Sequence, residues 1–250
     1  MSLTEPIQSG AFPCPRWYHG YVIAVELAIR IAWDQILKSN DHKTAISSPE
    51  DNEDEITALL QEMIEHLRGN NSEAPNFPIN GNFETVSRGA NFRNHNNQRL
   101  NTQPDLVFRL IGLNPGLLVN RIYNALFIEC KIISRNANVA RYIQEGVKRF
   151  VDGHYAWAMQ QAMMIAYVKN NAQMPATLKS SFNRQNAGQE IVRCRPLGDE
   201  VTPSTDLSDI YPESPSYLTS HERRWLYQEE YEPGNIEIKH IWLNCTDRDE

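Results

Sequence analysis

The 250-residue chain is 41% hydrophobic and 22% charged, which suits a globular fold with a substantial core and excludes a low-complexity or fibrous one. Its net charge of −7 is unevenly spread: residues 85–150 carry ten cations against three anions, so the rest of the chain holds the excess of acid. No apolar run reaches the ~18–20 residues of a membrane helix, and the first residues contain no apolar leader core, so the expectation is a cytoplasmic protein with no membrane partner and no secretory signal.

In chain order, Val22, Val25, Ile29, Trp33 and Ile36 recur on one face of a predicted helix over 21–38. A polar stretch over 39–54 reads as an exposed linker. It leads into a second helix over 55–67, whose stripe is Ile56, Leu59, Leu60, Met63, Ile64 and Leu67. Acidic residues at its start suit the helix dipole, and Gly69-Asn70-Asn71 stops it. Residues 76–101 are rich in Asn, Gly and Arg, with one short strand expected at 83–87. Two strand-like runs follow at 105–113 and 125–133, separated by the turn residues Gly112 to Gly116, while 117–124 reads equally as strand extension or loop.

A long helical region is expected over 138–169, broken near Gly153, with its second half apolar on most sides and deeply buried. Residues 170–215 are polar and hold five prolines, which predicts loops and short elements. The patch His221-Glu222-Arg223-Arg224 with Trp225, Tyr227 and Tyr231 reads as a helix covering a sheet edge or as a contact for a partner. Residues 236–244 alternate as a final strand. The four cysteines form no CxxC pair, so no structural zinc site is expected, and Cys130 inside an apolar run suits a buried thiol.

The chemistry concentrates in Phe127-Ile128-Glu129-Cys130-Lys131-Ile132-Ile133. Strand geometry sends Glu129 and Lys131 to one face and Ile128, Cys130 and Ile132 to the other. A carboxylate and an ammonium two residues apart on an apolar strand are costly to bury without partners or a purpose. Upstream, Gln103-Pro104-Asp105 opens the preceding strand, where a proline is tolerated. If the two strands pair as a hairpin, Asp105 lies beside Glu129. Two adjacent carboxylates with a lysine at their edge suit a hard divalent cation, and the basic surroundings suit a polyanion.

Pro104-Asp105 followed by Glu129-x-Lys131 resembles the PD-(D/E)xK nuclease superfamily, in which many restriction and repair nucleases fall. The resemblance spans roughly residues 55–168. It implies an α/β, restriction-endonuclease-like fold: a mixed central β-sheet flanked by helices, with an extra N-terminal helix and a loop-rich C-terminal part. It implies a single domain over 1–250, with the N-terminal helix and linker at 1–54, the catalytic core at 55–170, and an extension packed on the core at 171–250. Asp105 and Glu129 then hold Mg²⁺ or Mn²⁺, and Lys131 assists catalysis. The family often adds a glutamate from the first core helix, for which Glu55 is the first choice, Glu62 the second, and Glu84 on the preceding strand a third. Arg135, Arg141, Lys148 and Arg149 are expected to contact nucleic-acid backbone. The Gln-x-x-x-Tyr motif of the RecB-like subgroup is absent, because Gln160 and Gln161 precede Tyr167 by seven and six residues.

The resulting expectation is a magnesium-dependent endonuclease acting on DNA, with RNA left open, in restriction, foreign-DNA defence or repair. It would act as a homodimer or as a subunit of a multi-protein defence complex. Two readings compete: a catalytically idle nuclease-like domain that binds DNA or serves an assembly, and an unrelated enzyme or interaction protein whose triad is coincidental.

Overall fold

The structure is a computed structural model that describes residues 16–39, 42, 46, 52–70, 72–98, 102–112, 121–134, 136–169, 173–174, 176–185, 201–227 and 232–245. Six strands form one mixed sheet in the order β1-β2-β3-β6-β5-β4. They are β1 (Leu106–Phe108), β2 (Leu126–Ile133), β3 (Gln161–Val168), β4 (Thr202–Pro203), β5 (Tyr217–His221) and β6 (Ile236–Asn244). β2, β3 and β6 run parallel, while β1 at one end pairs antiparallel to β2, and β5 pairs antiparallel to β6 and to β4 at the other end. No described helix is long and apolar enough to cross a membrane.

Each face of the sheet is covered. α1 (His19–Lys38) and α2 (Glu53–Gly69) lie on one face, where Trp33 stacks on Tyr167 at 5.4 Å and Thr57 shares a hydrogen bond with the Tyr167 hydroxyl. Their apolar stripes are the predicted ones, with Val25, Ile29, Ile36, Ile56, Leu60 and Ile64 fully buried. The opposite face carries α3 (Asn136–Arg141), a π-helical stretch (Tyr142–Val147) and α4 (Lys148–Val151), which follow one another without a break. Gly146 makes this approach close: a Cβ there would lie 2.3 Å from Met164 Cε and 3.7 Å from Glu129 Cγ. A side chain at 146 would force the end of Met164 aside, so glycine lets the π-turn rest on β2 and β3 with Met164 in place.

Three expectations are corrected. The second half of the predicted 138–169 helix is a turn region followed by strand β3. Every residue of β3 is buried, because β2 and β6 flank it and helices cover both its faces. A strand in that position loses its two-residue alternation, which is why its apolar run reads as a buried helix. The residues expected to pack on the core from outside instead supply β4, β5 and β6, with β6 next to the sheet centre. The short strand expected at 83–87 is reduced to isolated bridges of Phe83 with Leu110 and Ser87 with Val107. Residues 113–120, the undecided stretch at 117–124 among them, lie mostly outside the described residues; 121–123 form a 3-10 turn.

The described part of the 221–231 patch, residues 221–227, is not a helix, and Glu222, Arg224 and Leu226 are exposed; 228–231 lie outside the described residues. His221 ends β5, and Arg223 turns inward, 5% exposed, to donate to the carbonyls of Trp157, Met159, Pro233 and Gly234. It clamps the entries to β3 and β6 beside Ala156, whose φ of 54° is left-handed. Burial alone pulls its guanidinium down to about 9. Arg223→Ala leaves these carbonyls without donors and is expected to cost roughly 3–5 kcal/mol in chemical denaturation. Lysine offers three donors in a different geometry, so Arg223→Lys should recover little of that loss.

Candidate active site

The antiparallel register of β1 with β2 pairs Leu106 with Ile128, and one residue earlier Asp105 reaches the level of Glu129. The Asp105 Oδ2 accepts the Cys130 amide at 2.6 Å, and the Asp105 amide donates to the Ile128 carbonyl at 3.1 Å. These bonds fix the carboxylate against β2. Glu129 and Lys131 project from the same face of β2, as strand alternation requires. The Lys131 ammonium stands 2.9 Å from Glu129 Oε1 and 3.8 Å from Asp105 Oδ2. The three residues singled out from the sequence therefore meet at one point.

A fourth residue joins them. Glu53, the first residue of α2, receives a hydrogen bond from Lys131 Nζ at 2.7 Å on Oε1 and from the Ile132 amide at 3.2 Å on Oε2. The sequence reading favoured Glu55, which is exposed on the same helix. Glu53 stands three residues before Ile56 and four before Thr57, on the buried side of the helix, whereas Glu55 points away from it. The stripe discloses this phase, but a helix expected to begin at 55 leaves Glu53 outside it. Glu62 is likewise exposed, and Glu84 is not brought to this cluster by any described contact.

Two further partners close over Glu129. Arg149, on α4, donates to Oε1 at 2.6 Å, and the Tyr155 hydroxyl donates to Oε2. Arg149 is thus the one expected backbone-contact cation that the structure brings to the centre. Lys148 beside it is half-buried. Arg141 pairs with Glu145 at 2.8 Å one turn away in an exposed position, and Arg135 lies outside the described residues.

The electrostatics are unbalanced towards acid: Glu53, Asp105 and Glu129 face Lys131 and Arg149. Burial, then the neighbouring Asp105, push Glu129 up to about 7 against the lowering pull of Lys131 and Arg149. Burial also raises Asp105 and Glu53 in spite of Lys131. Burial disfavours the Lys131 ammonium, but Glu129, Asp105 and Glu53 outweigh it and hold the group charged far into alkaline pH. Lys131 is therefore a fixed positive charge at neutral pH and not a base.

Among the described residues no three His, Cys, Asp or Glu side chains surround a common position for a metal, since the lysine ammonium takes the middle of the acids. The donor chemistry nevertheless fits Mg²⁺ or Mn²⁺, which take one or two carboxylates and fill the remaining positions with water or phosphate oxygens. Asp105, with its side chain 21% exposed, is the carboxylate open to solvent. Glu129 is fully enclosed, and it would join a metal site when Arg149, 36% exposed, releases Oε1.

Because all three acids are raised, the folded state retains protons that the unfolded chain gives up. That stabilising contribution is complete below about 4.5 and is lost as pH rises through the Glu129 value of about 7. Urea midpoints in metal-free buffer should accordingly fall with rising pH across that window. Glu129→Gln keeps the shape without the titration and should flatten the decline; an equally steep fall in the variant would refute the assignment.

No family model matches the sequence, and neither a curated protein nor a solved structure matches the chain.

Proposed function

We propose that the chain is a metal-dependent phosphodiesterase that cuts nucleic acid, DNA in the first instance. The observation that carries this reading is the meeting of Asp105, Glu129 and helix-borne Glu53 around the Lys131 ammonium, with Asp105, Glu129 and Lys131 inside the most basic segment of the chain. Structural ion pairs rarely leave excess acid buried, because each uncompensated carboxylate raises the cost of folding. A site that awaits a cation and a phosphate has reason to.

A divalent ion bound there supplies Lewis-acid polarisation of a phosphodiester and a water of lowered pKa. Asp105 and Glu129 are the residues that would hold it. Lys131, fixed by Glu53 and Glu129, presents a permanent charge to a phosphate oxygen or to the attacking water. Glu53 keeps the ammonium in place and is a positioning residue. Arg149 exchanges its Glu129 partner for a backbone phosphate, a charge-assisted bond of the same kind.

A second reading, the idle nuclease-like subunit, draws on one observation: every polar position of Glu129 is already taken by Arg149, Lys131 or Tyr155. Plasmid digestion separates the two. The purified chain should nick or linearise plasmid in Mg²⁺ or Mn²⁺, and chelator should stop it. Asp105→Asn, nearly the same shape, should lower the rate at least about 100-fold with an unchanged circular dichroism spectrum. Cutting that ignores chelator, or no cutting by a folded protein in either metal, overturns the proposal. Removing Lys131 is the poorer test, since it strands buried acids and costs roughly 3–5 kcal/mol of stability.

Binding to duplex DNA should also weaken steeply with salt, as each phosphate neutralised releases counterions. Anisotropy titrations at several salt concentrations measure the slope, and a flat response counts against the basic segment as the contact surface.

A further inference from the structure

Between Arg149 and Tyr155, the two groups that close over Glu129, the chain turns through residues 151–154. That turn forms one wall of a cleft of about 340 Å³, into which Asp152 and His154 face. The opposite wall comes from residues 94–98 and from the segment after β5. Asp152 follows Arg149 by three positions, so the cleft begins about 5–6 Å from the arginine that holds the catalytic glutamate. The cleft and the ion-pair cluster share a single short piece of backbone.

An aromatic stack stands in the cleft. His95 lies on Trp225, ring centroids 4.3 Å apart and planes at 21°. The stack is held from behind: Trp225 Nε1 donates to the Val151 carbonyl at 2.9 Å, and the His95 amide donates to the Gly153 carbonyl at 3.1 Å. Gly153 has φ +66°, and a Cβ there would come within 3 Å of both rings. The glycine is thus required for the rings to seat against the turn. Burial lowers the His95 imidazole below its ordinary value, so at neutral pH it is an uncharged ring.

The rest of the lining is amide and mixed charge. Asn96 Nδ2 donates to Gln98 Oε1 at 3.1 Å, and each amide keeps further donor and acceptor capacity. Arg224 is paired with Glu222 at 2.9 Å. A phosphate site would show unpaired cations, and this cleft shows none in excess. The lining holds two acids, Asp152 and Glu222, against Arg224, so flat aromatic surface, amides and a small excess of acid are the complement of a neutral heteroaromatic ring with amino donors on its edge.

We infer that this cleft receives a nucleobase of the bound strand, unstacked from its neighbours, while the adjoining phosphate lies at Arg149. The inference rests on the nuclease reading and adds to it a preference for single-stranded or locally opened nucleic acid. Trp225 already carries His95 on its ring and has the Arg223 guanidinium over it at 5.3 Å, so the base stacks on the outer face of His95, which Trp225 backs, and Asn96 and Gln98 read its edge. Stacking of this kind tolerates every base, so the Trp225-backed His95 ring supplies affinity and the amides supply preference.

The test uses the full chain, with Ca²⁺ replacing Mg²⁺, and two labelled single strands of equal length, one with its bases intact and one wholly abasic. Anisotropy should give at least about tenfold tighter binding of the intact strand by the wild-type protein. Trp225→Ala should bring that ratio close to one without changing affinity for the abasic strand. The double variant Asn96→Ala/Gln98→Ala, at exposed positions, should lower the ratio severalfold and serves where the tryptophan variant fails to fold. Equal binding of the two strands by wild-type protein, or a ratio unaffected by the amide variant, overturns the pocket and leaves the nuclease reading standing. Failure to bind either strand also overturns the pocket, while the nuclease reading stands or falls with the plasmid digestion.

Discussion

One ammonium group organises the candidate site of this protein. Lys131 is 5% exposed in its side chain and draws Glu53 from the helical layer, Asp105 from the approach to the edge strand, and Glu129 from its own strand. Burying an ion costs several kcal/mol after relaxation, and only a saturated set of partners offsets it. The start of α2, the pairing of β1 with β2 and the seat of the π-turn over Gly146 must therefore form together. None of these elements satisfies the lysine alone.

A second buried lysine in the same sheet shows that excess acid is a choice and not a by-product of the fold. Lys239 on β6 lies 2.6 Å from Glu26 Oε2 and 2.7 Å from Asp206 Oδ2, and Arg30 bonds Glu26 at 2.9 Å. There, burial pushes Asp206 up, but hydrogen bonds from Lys239, His19 and Ser204 outweigh it and hold the carboxyl well below its usual range. Both clusters combine lysine, arginine and carboxylates, yet Asp206 is lowered where Glu53, Asp105 and Glu129 are raised. The Lys239 cluster is balanced and pins the 204–214 loop to α1 and β6. The Lys131 cluster keeps an acid in hand, and perturbations of that sign concentrate at working sites.

What the sequence disclosed follows from which patterns survive burial. Glu129 and Lys131 were legible because two charges at strand spacing in an apolar run have few structural explanations, and Asp105 because a proline marked the start of its strand. The α1 and α2 stripes were legible because each helix has a wet side. β3 was not, since a strand enclosed on both faces and both edges has no polar side to mark its period. Glu53 was hidden because the helix begins two residues before its expected start, although the Ile56–Leu60–Ile64 stripe already fixes the face on which it lies. Arg223 was hidden because its partners are backbone carbonyls, which leave no trace in side-chain chemistry. Among the described residues, the site was readable where its chemistry is carried by side chains on regular elements and opaque where the backbone supplies the partner.

The charge pattern then imposes an order on the proposed reaction. A basic segment draws a nucleic-acid backbone inward, but the acids at its centre repel each phosphate that arrives. Glu129 at about 7 and the raised Asp105 mean that this repulsion is strongest when both are ionised, which is also when they bind a cation best. Metal and phosphate therefore depend on each other: the cation cancels the acids, and the phosphate fills coordination positions that the two carboxylates leave to water. Arg149 stands at the hinge of this exchange. Were a cation held by Asp105 and Glu129, Arg149 would be free to exchange its carboxylate partner for a phosphate, and the closed cluster would be the resting form of the proposed site and not a competitor to it.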